Sequence, residues 1–160
     1  MTRRFARAPR GQRALGSVPF GGWHRLTIIG ALSTDGMIAA MSVEAPVNAA
    51  LLRVYLDAVL VPELQRRKPD AVLVMDNLRP HLATAIGKTL ERAHLGLLYL
   101  PRYSPDLSPI EPGWSKMKTQ LRAKEARTTE ALNAELRPAL DAITPQDAQA
   151  WFRHCGYTLN

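Results

Sequence analysis

The first 34 residues of this chain contain no aspartate, glutamate or lysine, but they contain six arginines. Six units of the +7 net charge therefore lie there, and the remaining 126 residues contribute only +1. A basic arm ahead of a nearly neutral body suits phosphate contact, because such arms bind nucleic acid by displacing counterions. A plain solvated tail has the same composition. So does an organelle transit peptide, but Pro9, Gly11, Gly16, Pro19, Gly21 and Gly22 argue against the amphipathic helix that reading needs. Cysteine is almost absent. The single Cys155 excludes an internal disulfide and any Cys-rich zinc site, which fits a reducing cytoplasm. No apolar run approaches the roughly 18 residues of a membrane span. Met1-Thr2-Arg3-Arg4 leads into more arginine rather than the apolar core of a signal peptide.

What remains suits one domain with a real core, 160 residues at 46% hydrophobic. Two regions are expected, a basic arm over 1–23 and a folded body over 24–157. His24 to Leu32 reads as a strand, Ser33-Thr34-Asp35-Gly36 as a hairpin turn, and Met37 to Val43 as the returning strand. Asn48 can cap a helix with Leu52, Tyr55, Leu56, Val59 and Leu60 on its apolar face, fraying between Pro62 and Pro69. Ala71 to Met75 and Leu97 to Leu100 are short, apolar and bounded by turn residues, as strands buried on both faces are. Helices are expected over 81–94, 109–124 and 129–143, the last kinked at Pro138. A final helix should begin at Thr144-Pro145 and stop at Gly156. The order is hairpin, helix, strand, helix, strand, helices: an α/β fold in which ligands usually sit at the carboxyl ends of strands.

One stretch organises the rest. Leu100-Pro101-Arg102-Tyr103-Ser104-Pro105-Asp106-Leu107-Ser108-Pro109-Ile110-Glu111 has prolines at 101, 105 and 109, which stiffen it into a loop. It then turns helical, with Ile110, Trp114, Met117 and Leu121 on one face and Lys118 following Trp114 in the chain. Glu111 reads either as half of a capping box with Ser108 or as a metal-binding acid held at a helix entrance. Pro112 and Gly113 weaken the turn such a box would stabilise. Asp76, ending the strand 71–75, reads as a turn cap or as a second such acid. Two carboxylates on rigid supports suit Mg²⁺, a hard cation that takes oxygen ligands. A pair of such ions about 4 Å apart can activate a water or 3′-hydroxyl and stabilise the leaving oxygen of a phosphodiester.

With these residues in view, the chain resembles a known family. Val72-Leu73-Val74-Met75-Asp76-Asn77, followed by His81, is similar to the second acidic motif of mariner-type DDE transposases of the bacterial insertion-sequence branch. The proline stretch through Glu111, with Trp114, is similar to their third, and 34 residues separate Asp76 from Glu111, the spacing typical of that group. Ser108 stands where the family often has Asn, and as a cap Ser serves equally. The similarity runs from the arm to Tyr157. It implies a ribonuclease-H-like mixed sheet flanked by helices, with Asp76 and Glu111 as catalytic metal ligands for Mg²⁺ or Mn²⁺. It further implies that Asn77, His81, Tyr103 and Trp114 shape the site, His81 having a rival reading as a helix-start residue and Trp114 as a core anchor. The implied partner is DNA, as transposon ends and target. Arg3, Arg4, Arg7, Arg10 and Arg13 are its expected contacts, and the compartment is a bacterial cytoplasm beside the nucleoid.

The family needs a first aspartate on the first strand, and no acid precedes Asp35. Arg3 to Gly11 resembles the segment just after that strand, so the first strand and the helix-turn-helix region are expected to be missing. Asp35 and Glu44 are the nearest substitutes, but turn chemistry gives both a structural reading. The expectation is a transposase catalytic fragment, inactive alone, with a homo-oligomer or a missing N-terminal transposase part among its expected partners. The alternatives are the downstream product of a frameshifted split gene, a non-catalytic DNA-binding or assembly fragment, and a decayed remnant.

Overall fold

The computed structural model describes residues 5–16, 26–79, 81–82 and 84–159. Residues 5–16 are exposed and irregular, with one turn in which Gln12 N–H donates to Pro9 O at 3.0 Å and Gly11 takes φ +84°. Arg7, Arg10 and Arg13 lie in this segment. Arg3 and Arg4 of the expected DNA contacts, and His24 and Arg25 of the expected first strand, lie outside the described residues.

The hairpin forms where turn chemistry puts it. β1 (Thr27–Ser33) pairs antiparallel with β2 (Gly36–Val43). The loop itself is Thr34-Asp35, and Gly36 closes it at φ +102°, a value open to glycine and costly for residues with a Cβ. Pairing then slips, Ala31 facing Ala39 but Leu32 facing Met37. The extra residue, Ile38, is a β-bulge. It lets Ile38 and Ala39 both pack into one core while Met37 and Ala40 pack into the other.

Asn48 caps the next helix through Leu51 N–H to Oδ1 at 2.8 Å. The helix does not fray at Pro62. α1 (Ala49–Tyr55) passes through a π-helical turn at Leu56–Leu60 into α2 (Val61–Arg67). Pro62 has no N–H to give, so a regular helix would leave a carbonyl unpaired there. The wider turn, in which Val61 N–H reaches back to Leu56 O, absorbs the irregularity. Leu52, Tyr55, Leu56, Leu60 and Leu64 are all at most 3% exposed, and each leucine so buried contributes about 1.5–3 kcal/mol. They meet Ile86 and Leu90 of α3 (Thr84–Arg92), a helix shorter than the expected 81–94, to form the first core.

β3 (Val72–Met75) and β4 (Gly96–Tyr99) pair in parallel around α3. Leu73, Met75 and Leu97 pack on the first core. The expectation that these strands are buried on both faces is wrong: Val72 and Leu98 on the opposite face are 61% and 54% exposed. Leu73, Met75 and Leu97 take the covered face, while Val72 and Leu98, alternating with them along the strands, are left open to solvent.

The second core joins α4 (Ile110–Lys124) and α5 (Thr129–Asp141), with Met117, Leu121, Leu136, Ala139 and Leu140 buried. Pro138 sits inside α5 without ending it. α6 (Pro145–His154) starts in a full capping box between Thr144 and Asp147, and Lys116 Nζ of α4 donates to Asp147 Oδ2 at 2.5 Å. Among the described residues the strands form two separate two-stranded ladders, β1–β2 and β3–β4, with helices packed against them.

Candidate active site

A cleft of about 550 Å³ lies between those ladders, and both candidate acids line it. Asp76 is placed by β3, whose last carbonyl, Met75 O, accepts from Leu100 N–H at 2.8 Å. One carboxylate oxygen, Oδ1, accepts from Leu78 N–H at 3.4 Å and stands against His81 Nδ1, which also lies 3.3 Å from the Asp76 backbone carbonyl oxygen. Among the described residues Oδ2 has no partner. Asp76 therefore closes a turn and still offers an oxygen. His81 is fixed from behind, because the Tyr99 hydroxyl donates to its backbone carbonyl at 2.7 Å. Tyr99 escaped sequence reasoning; an aromatic ending an apolar strand was the available signal.

Glu111 is not half of a capping box. Pro109 is the residue at the N-cap, Ser108 is extended at φ −109° and ψ 97°, and no side chain caps the helix. The reason is one of register: the helix starts one residue later than the box requires, so Glu111 is second in it rather than third. Its carboxylate is exposed and has no hydrogen bond or ion pair among the described residues. Pro112 falls in the first turn, where its missing N–H is not needed. Gly113 is buried because a Cβ there would stand 3.3 Å from Trp151 Cζ3 of α6. Gly113 thus lets α4 lie close to α6, and Glu111 lines the cleft.

Trp114 lines the cleft and packs on the second core and against Gly30. Tyr103 is elsewhere: it is 99% exposed at φ +59°, outside the cleft lining. Asn77 is half-buried beside Asp76 and does not line the cleft. Asp35 makes an ion pair with Lys68 at 2.7 Å in the hairpin turn, and Glu44 is exposed beyond the end of β2. Two aromatic residues outside the acidic motifs complete the Glu111 side. Phe152 and Tyr157 line the cleft with their rings edge to face, 5.4 Å between centroids, and the Tyr157 hydroxyl donates to Leu107 O at 3.0 Å.

The donor chemistry here is that of a hard divalent cation, but the number is short. Among the described residues no three His, Cys, Asp or Glu side chains stand close enough to hold a metal ion. The described residues by themselves do not make up a complete metal site.

The fold is that of the ribonuclease-H-like class. It aligns with the catalytic domain of Mos1 mariner transposase at TM-score 0.71 and 23% identity, covering 80% of this chain and 67% of that one. A Mos1 paired-end complex with left transposon end aligns at TM-score 0.77 and 22% identity, over 96% of this chain and 47% of that one. A Mos1 paired-end complex with Mg aligns at TM-score 0.72 and 25% identity, over 96% and 47%. This chain thus spans about half the length of the chains in those complexes. No curated protein sequence matches it. The DDE superfamily endonuclease family matches residues 1–133, and the chain belongs to that family.

Proposed function

We propose that this chain is the carboxyl-terminal part of a transposase catalytic core, serving metal-dependent cleavage and strand transfer at transposon ends. The observation that carries this reading is the shared cleft: Asp76 from a strand end and Glu111 from a helix entrance line it together. Both acids stand in the two motifs of the family resemblance. The solved relatives include Mos1 catalytic domain with Mg and with Mn, so Mg²⁺ or Mn²⁺ is the proposed cation, with Asp76 and Glu111 its holders. A bound cation would supply charge stabilisation for a phosphodiester under attack. This chain's own residues position the acids: Tyr99 and His81 fix Asp76, and the Gly113–Trp151 contact sets the start of α4.

Two carboxylates leave one side of such a cluster unsupported. The 160-residue chain is therefore expected not to cleave transposon-end DNA with Mg²⁺ or Mn²⁺. Extension upstream by an acid-bearing strand and an end-binding region should restore cleavage, and Asp76→Asn or Glu111→Gln should abolish it. Cleavage that survives both substitutions would sink the proposal. A second reading, a non-catalytic DNA-binding or assembly fragment, is favoured by the same shortage of ligands. It predicts that no extension restores activity.

A further inference from the structure

Among the described residues, three that are not glycine take a positive φ: His94, Tyr103 and Glu125. His94 and Glu125 stand just past the ends of α3 and α4, where the left-handed conformation is an ordinary helix stop. Tyr103 ends no helix. It sits in a turn between β4 and α4 at φ +59°, a geometry that favours glycine or asparagine and strains a bulky side chain. No packing among the described residues offsets that strain, because the ring is 99% exposed and belongs to neither core. The loop around it is pinned. Pro101 and Pro105 fix φ on either side, and Ser104 Oγ donates to Arg102 O at 3.4 Å. A helical turn over Pro105–Leu107 follows. Leu100 N–H is tied to Met75 O, next to Asp76, and Tyr157 holds Leu107 O on the way to Glu111. Leu100 and Ser108, at the two ends of the loop, line the cleft. Three residues span at most roughly 11 Å, so the Tyr103 backbone stands within about three stacked nucleotides of Leu100.

We propose that Tyr103 is a stacking platform for one unpaired base of the DNA strand that enters the cleft. It deepens the nuclease reading above and rests on it for the place of that strand beside Asp76 and Glu111. A backbone held at a costly φ to present a ring to solvent points to a role outside the fold. An aromatic face takes any base, since every base has a π-face. A paired base hides its faces within the duplex stack, so the platform selects unpaired ones. Arg102, exposed beside the ring, can meet the phosphates of the same strand. Asp106, the one acid of the loop, lies three residues further on and acts on Cys155 at the end of α6. A protein partner fits less well. Hot spots in protein interfaces are ringed by further packed side chains, whereas Arg102 and Ser104 flank this ring.

The test uses the full chain and a DNA duplex with a short thymidine overhang, at its 3′ or its 5′ end. A second duplex carries abasic sites throughout the same overhang, which keeps the charge and removes the base faces. The parent should bind the thymidine overhang at least about fivefold more tightly than the abasic one in anisotropy titrations. Tyr103→Phe should keep that preference, while Tyr103→Gly and Tyr103→Asn should lose it. Neither of the last two should lower the urea midpoint, because both residues suit a positive φ. A 2-aminopurine placed in the overhang should be quenched by the parent and by Tyr103→Phe only. Equal binding of the two overhangs by the parent, or binding of neither, would overturn the proposal. So would a preference that survives Tyr103→Gly, or a lowered urea midpoint in that variant, which would make the ring structural. Self-association that Tyr103→Gly abolishes would assign the ring to a second copy and overturn it as well. An overhang preference in a protein whose upstream-extended form cleaves no transposon-end DNA keeps the platform and removes the nuclease reading. Cleavage by the extended form, unchanged by Tyr103→Gly and without overhang preference, does the reverse.

Discussion

At the scale of single residues, the same letters served two readings, and local geometry decided between them. Ser108-Pro109-Ile110-Glu111 spells a capping box, yet the helix begins at Ile110 and Glu111 caps nothing. Sequence could not show this, because a one-residue change in helix start turns a structural carboxylate into a free one. Glu111→Gln should therefore leave unfolding stability within about 0.5 kcal/mol of the parent, as expected of a surface change away from caps and cores. A urea midpoint falling by the roughly 1 kcal/mol of a lost cap would restore the structural reading. Gly30 was equally silent in the sequence, one glycine inside a strand. A Cβ there would stand 2.8 Å from both Met37 Cε and Trp114 Cη2. The methionine tip can swing aside; the indole edge is held by the second core. Gly30→Ala should cost about 1–3 kcal/mol by overcrowding, and Trp114→Leu should lessen that cost in a double-mutant cycle. Additive effects in urea denaturation would show that the indole is not the obstacle.

At the scale of elements, strands and helices were legible wherever period and turn residues agreed. The hairpin, the Asn48 cap and the Thr144 start all arise from short-range chemistry that the sequence displays. The helix through Pro62 was not legible, since a proline reads as a stop and only the π-helical turn shows how the chain carries on. α6 also depends on a partner distant in sequence. Lys116, then Thr144, hold the Asp147 carboxyl down to about 2 from its ordinary 3.8. Because the folded form binds its proton less readily than the unfolded one, this anchor stabilises fully above about pH 4. It is lost as the pH falls through about 2. Lys116→Met should accordingly move acid unfolding of the chain to higher pH, followed by tryptophan fluorescence. An unchanged acid midpoint would mean that the pair contributes nothing to docking α6.

At the scale of the whole molecule, the order of elements was legible but not which strand edges meet. Strand pairing depends on contacts far apart in the chain, so the division into two ladders had no local signature. Nor did the bare face of β3 and β4, because Val72 and Leu98 look like core residues in any short apolar run. The arm was plain in composition, and its effect belongs to the chain as a whole. Replacing Arg3, Arg4, Arg7, Arg10 and Arg13 with alanine should weaken DNA binding across sequences. It should also flatten the salt dependence by about one unit of slope per lost phosphate contact. Equal slopes for parent and variant, in titrations at several salt concentrations, would reduce the arm to a solvated tail. Cys155, the chain's one thiol, is 7% exposed. Burial, then the Asp106 carboxylate, push its pKa upward, so the reactive thiolate is scarce while α6 is docked. Asp106 belongs to the stiff loop that leads to Glu111. A thiol-reactive dye added to the unaltered protein is thus a clock, its labelling rate timing how often the wall beside Glu111 opens.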